Sequence, residues 1–170
     1  KDQWKTASDP TKVGKFEARK HLTEEAVIDR NIRLIRMLHV GPETARRYIK
    51  KALNNYEIKK ISLKEFSEIA FPIITSAQKS YKVKSHVINK VEFDDMIRRY
   101  GEESDKEFWV VERKDNKEAV AISVNRIKED SCEYDDMKCK PESLKDRTYP
   151  YYGLIFTMNQ YYLGEKKMKY

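Results

Sequence analysis

Apolar positions set two different periods along the chain. Ile28, Ile32, Ile35 and Leu38 recur at helical spacing behind Thr23 and the acidic pair Glu24-Glu25, which predicts a helix stopped by Gly41. Pro42 fits the first position of a second helix, which runs to about Leu53 and ends at Asn54-Asn55. Tyr56 to Ile61 reads as a first strand, with Tyr56, Ile58 and Lys60 on one face. Ser62-Leu63-Lys64-Glu65 is a capping-box pattern opening a helix that carries Phe66, Ile69, Ala70, Ile73, Ile74 and Ala77. Pro72 inside that pattern is expected to kink or break it. Val91 to Tyr100 predicts another helix, closed by Gly101.

From Phe108 the pattern turns to strands. Phe108-Trp109-Val110-Val111 is strongly β-prone. Val120, Ile122 and Val124 alternate with Ala121, Ser123 and Asn125, the signature of a half-buried strand. Cys132 to Lys140 is a weaker third run. Polar turns at Lys114–Lys117 and Lys128–Asp130 join the three into an expected antiparallel meander. Pro141 to Thr148 reads as a polar loop. Pro150 then starts a helix with Tyr151, Leu154, Ile155, Met158, Tyr161 and Tyr162 on its apolar side, punctuated by Gly164. Met168-Lys169-Tyr170 reads as the beginning of another strand. Lys1 to Leu22 shows no clear period and reads as an irregular arm anchored by Trp4 and Phe16. Two units follow: a helical N-terminal arm over 1–55, and a mixed α/β unit over 56–170.

Composition narrows this picture. A chain of 170 residues holds one ordinary domain with an appended arm. No apolar run reaches the roughly 20 residues of a membrane span, so no membrane is expected. Two cysteines, Cys132 and Cys139, fit a reducing compartment, and the expected location is cytoplasmic. No Cys/His cluster has zinc spacing and no metal is expected. His21, His39 and His86 are isolated from any acid at a motif spacing. The net charge of +7 favours anionic partners, although the charges are interspersed.

One alternative starts from Leu38-His39-Val40-Gly41-Pro42 and the helix after it. Segment 28–53 resembles a helix-turn-helix, with Arg46, Arg47, Lys50 and Lys51 placed to meet nucleic acid. An ordinary corner between two helices has the same pattern.

The element order from residue 56, with the segments FWVVERKDNKEAVAISVNRI and PYYGLIFTMNQYYLGEKKMKY, resembles the GNAT superfamily of N-acyltransferases. It is similar to GNAT-like proteins of bacterial genomes and, more distantly, to the Fem-type aminoacyl transferases. The resemblance implies an α+β (α/β) fold whose mixed sheet contains the meander, with the final half of the fold missing from this chain. It implies transfer of an acyl or aminoacyl group from a thioester or similar donor to an amine. Acetyl-CoA or another acyl-CoA is the implied donor, seated between the fourth strand and the helix after Pro150. The stretch Pro141–Gly153 stands where such enzymes cradle the coenzyme A pyrophosphate, and Gly153 is the position that corresponds to their glycine-rich signature. The implied cofactor-binding residues are Lys145, Arg147, Thr148, Tyr151, Tyr152 and Gly153. The implied catalytic candidates are Glu133 and Tyr134 on the fourth strand, where the family's base is a glutamate, and Tyr161 on the later helix, where its acid is a tyrosine. A catalytically inert scaffold of the same fold is the remaining reading.

Overall fold

A computed structural model of the chain describes residues 42–81 and 86–168. The helix expected from Glu24 to Leu38, the anchors Trp4 and Phe16, and Lys169-Tyr170 lie outside the described residues. The elements are α1 (Pro42–Asn55), β1 (Tyr56–Ile61), α2 (Leu63–Lys79), α3 (Lys90–Glu102), β2 (Lys106–Arg113), β3 (Ala119–Ile127), β4 (Cys132–Cys139), α4 (Pro141–Lys145) and α5 (Pro150–Asn159). A π-helical turn, Gln160–Glu165, continues α5.

The four strands form one antiparallel meander in the order β1-β2-β3-β4. Helices cover both faces. On one face α2 and α3 bury Phe66, Ala70, Ile73, Ile74 and Phe93 against Phe108, Ile122 and Val124 of the sheet. On the other, α5 and its π turn bury Leu154, Met158 and Tyr162 against Trp109, Val111, Ala121 and Cys139. Each large apolar side chain so removed from water contributes about 1.5–3 kcal/mol. Helix α1 packs on the outside of α5 through Ala45, Ile49 and Phe156, and Ala52 reaches the cluster under α5.

Several expectations are corrected here. β3 is buried on both faces from Val120 to Asn125, because helices cover both sides of an inner strand. The polar Ser123 and Asn125 are therefore fully buried. Pro72 does not break α2, which runs unbroken from Leu63 to Lys79. Pro72 and Glu68, the residue whose carbonyl loses its partner, both lie on the exposed side, where water can take that bond. Gly101 does not close α3; it is the penultimate residue of a helix that ends at Glu102. The stretch after Pro141 forms the short helix α4 before the chain turns. Met168 is not in a strand: its amide bonds the carbonyl of Tyr162 at 2.9 Å.

Two bulges shape the sheet. Val111 pairs with Ala121 while Glu112 pairs with Ala119, so Val120 is an extra residue in β3. This lets Val120 and Ala121, neighbours in sequence, join the same core cluster. Val124 pairs with Asp136 while Asn125 pairs with Tyr134, so Asp135 is an extra residue in β4.

Candidate functional site

Between the sheet and the end of α5 lies a buried polar network. Glu107, Asn125 and Tyr134 form one row across three strands. Trp109 and Ser123 are paired in the next row on the same face. The π turn lowers Tyr161 and Tyr162 together onto Trp109, with ring centroids 5.3 and 6.0 Å from it in edge-to-face geometry.

Tyr162 is the hub. Its hydroxyl accepts from Trp109 Nε1 at 2.8 Å and from Asn125 Nδ2 at 3.1 Å, and donates to Glu107 Oε2 at 2.8 Å. One proton and two lone pairs are thereby all used. Burial pushes the Tyr162 phenol well above its usual range, and the nearby Glu107 carboxylate adds to this. Asn125 is fixed in turn: Ser123 Oγ donates to its Oδ1 at 2.6 Å, and its Nδ2 also reaches Met158 Sδ at 3.2 Å. The other oxygen of Glu107 accepts from Lys60 Nζ at 3.0 Å, and Lys60 reaches Tyr161 Oη at 3.0 Å. Partial burial works against the Lys60 ammonium, but its bonds to Tyr161 and Glu107 outweigh that and raise its pKa.

Glu107 and Lys60 also line a cavity of about 460 Å³ at this end of the sheet, walled by Leu63, Tyr100, Phe108 and Ile127 among others. The first turn of α2 borders it. That helix start is already occupied: Ser62 Oγ accepts the Glu65 amide at 3.2 Å, and the Glu65 carboxylate accepts the Ser62 amide at 2.8 Å. It offers no ready anion site.

Strand β4 has no further strand beside it among the described residues. Its bulge turns Tyr134 toward α5, where the phenol donates to Asn159 Oδ1 at 2.5 Å. Asp135 contacts Lys106 on the opposite side, and Arg126 lies 3.5 Å from it. The Lys106 side chain is only 3% exposed, with Glu103 also 3.4 Å away. Burial pushes both thiols, Cys132 and Cys139, up to about 12, so neither is a thiolate nucleophile near neutral pH.

The catalytic candidates read from sequence are only partly brought together. Tyr134 and Tyr161 share the α5 face of the sheet. Glu133 alternates to the other side and is exposed, paired with Lys128 at 2.5 Å.

The cofactor-binding candidates cluster at the start of α5. Lys145 and Arg147 are exposed. Thr148 bonds Tyr56 Oη at 2.5 Å, and Tyr151 Oη donates to the Met137 carbonyl at 3.4 Å. The amides of Tyr152 and Gly153 both point at the Tyr149 carbonyl, at 3.0 and 3.4 Å. Gly153 sits at a close approach of elements: a Cβ there would lie 2.8 Å from Ile58 Cδ1 and 2.9 Å from Ala52 Cβ. Arg46, Arg47, Lys50 and Lys51 are all exposed on α1.

Sequence reasoning missed Lys60, Glu107, Trp109, Asn125 and Asn159. The available signal was Ser123 and Asn125, two polar residues alternating inside an otherwise apolar run.

No helix among the described residues is long and apolar enough to cross a membrane. Among them, no group of three or more His, Cys, Asp or Glu side chains is arranged to hold a metal ion. No family model matches the sequence, and no curated protein matches it significantly.

Proposed function

We propose that this protein transfers an acyl group from a thioester to an amine, with the thioester lying along the outer edge of β4. The observation that carries this reading is the bulge at Asp135 on that edge, beside a tyrosine whose hydroxyl is held by Asn159. A bulge interrupts the ladder and re-aims the groups around it. Backbone N–H groups of β4 that point away from β3 are suited to the oxygen of a tetrahedral intermediate, where charge develops. In this reaction the amine nitrogen bonds to the thioester carbon and the carbon–sulfur bond breaks. Tyr134 gives its phenolic proton to the departing thiolate, and the amine's surplus proton passes to water at the solvent side of β4, from which the phenolate is reprotonated. The network of Tyr162, Asn125 and Glu107 holds β2, β3 and the end of α5 in register beneath Tyr134. An acyl-CoA is the donor that the sequence's resemblance to GNAT proteins implies.

Two measurements test the reading. An acyl-CoA at 100 times its dissociation constant should stabilise the protein by about 2.7 kcal/mol. Thermal denaturation with acetyl-, succinyl- and long-chain acyl-CoA reads this directly, and the absence of any shift would remove the donor. Tyr134→Phe should lower turnover by about 10²- to 10⁴-fold without changing the melting temperature of the free protein by more than a few degrees. Unchanged turnover in that variant would exclude Tyr134 as the acid.

A further inference from the structure

Helix α1 has one face committed to the fold and one that is not. Ala45, Ile49 and Ala52 are buried, while Arg46, Arg47, Lys50 and Lys51 are exposed. Tyr48 stands at the border. Its ring stacks on Tyr149, centroids 3.7 Å apart and planes 17° from parallel. Tyr152 meets both rings edge-on, at 5.1 and 5.9 Å. The Arg47 guanidinium lies 5.5 Å from the Tyr48 centroid and the Lys51 amine 5.8 Å from that of Tyr149.

The turn before α5 completes this surface. Arg147 and Tyr149 both take the left-handed conformation, at φ 53° and 58°. For bulky side chains this conformation is uncommon, and it persists where surrounding contacts impose it. Here it presents the Tyr149 ring to Tyr48 and leaves Arg147 and Lys145 exposed beside it. Six exposed cations thus lie on these two segments, and two of them, Arg47 and Lys51, sit beside the stacked tyrosine pair. The carboxylates on the same two segments are fewer: Glu43, Glu142 and Asp146, the last held by Arg113 at 2.5 Å.

We infer that this surface of α1 and the 145–149 turn binds single-stranded nucleic acid, its cations tracking the phosphates and its tyrosines stacking on unpaired bases. Cations interleaved with aromatic rings suit a strand whose bases are free to stack. A duplex keeps its bases stacked on one another and offers a protein only groove edges and phosphates. α1 is also anchored along α5 through Ala45, Ile49 and Phe156, and its tyrosine pairs with the turn.

The test is fluorescence anisotropy with labelled 12-nucleotide oligo(U) and oligo(dT), a hairpin duplex of equal length, and coenzyme A as competitor. The expected result is preference for the single strands, with log K falling against log salt by about 0.7 for each phosphate contacted. Arg47→Ala and Arg147→Ala should each flatten that slope by about 0.7. Tyr149→Leu should weaken binding about ten-fold or more, while Tyr149→Phe, which keeps the ring, should bind like the parent. Because both arginines are exposed, their variants carry the test even where Tyr149→Leu loosens the turn. Equal or tighter binding of the duplex would overturn the inference. So would a slope indifferent to both arginines, or displacement of the oligonucleotide by one equivalent of coenzyme A.

Discussion

Gly153 and Tyr162 show how much one side chain decides. At Gly153 an alanine would gain up to about 1 kcal/mol of helix propensity. Its methyl, however, would be forced against Ala52 Cβ and Ile58 Cδ1 at 2.9 and 2.8 Å, and overpacking of this kind costs about 1–3 kcal/mol. Gly153→Ala should therefore be destabilised by about 1–2 kcal/mol in urea titration, and a more stable variant would show that α1 and β1 can move apart. Tyr162→Phe keeps the ring and removes the hydroxyl that three groups share. Trp109 Nε1 is left without its acceptor in a side chain only 3% exposed, and the expected loss is about 2–3 kcal/mol. Equilibrium unfolding of the two proteins gives this difference. A loss under 0.5 kcal/mol would mean that water replaces the hydroxyl.

At the level of elements, α2 sets local propensity against tertiary packing, and packing prevails. Proline inside a helix costs about 3 kcal/mol, yet α2 spans 17 residues through Pro72. The buried row of Phe66, Ala70, Ile73, Ile74 and Ala77 and the Ser62–Glu65 capping box hold it. Pro72 itself is exposed, so its removal sacrifices little packing. Pro72→Ala should stabilise the protein by about 1–3 kcal/mol, read from the urea midpoint at constant m-value. The cap works in the other direction: Ser62→Ala should cost about 1 kcal/mol by the same measurement.

The whole molecule should be sensitive to alkali, because burial raises several acids together. Cys132 and Cys139 ionise near 9 when unfolded and only at about 12 when folded. Burial likewise raises Tyr56, Tyr100, Tyr151 and Tyr162 above the usual value near 10. Folding retains protons that the unfolded chain would release. Stability from these groups is fully present below pH 9, falls as pH rises, and is lost progressively through pH 12. Each such group costs about 1.4 kcal/mol per pH unit within its window. Urea unfolding between pH 8 and pH 11.5 should show a steady decline from about pH 9, and a flat profile would mean that these groups ionise as readily in the folded protein as in the unfolded chain. The acidic side of neutrality leaves these six groups unchanged.

The pattern of side chains alone determined most of the segments that become helix or strand, the short α4 and the stretch at Met168 excepted. Period and turn chemistry are local properties, so the strand at Tyr56–Ile61, the meander, the Ser62–Glu65 cap and the helix from Pro150 were all legible. Tyr134 and Tyr161 were also legible as members of a strand and a helix facing one another. Tertiary structure alone decided what local pattern cannot carry. Burial of both faces of β3 depends on helices arriving from either side, and it makes Ser123 and Asn125 core residues. The extra residue at Asp135 depends on the partner strand's register, and it sets Tyr134 and Asp136 opposite the adjacent residues Asn125 and Val124. The contact of Tyr162 with Glu107 joins residues 55 apart, and that of Tyr48 with Tyr149 joins residues 101 apart. Such contacts arise only when distant segments share one closely packed space, and no spacing along the sequence encodes them.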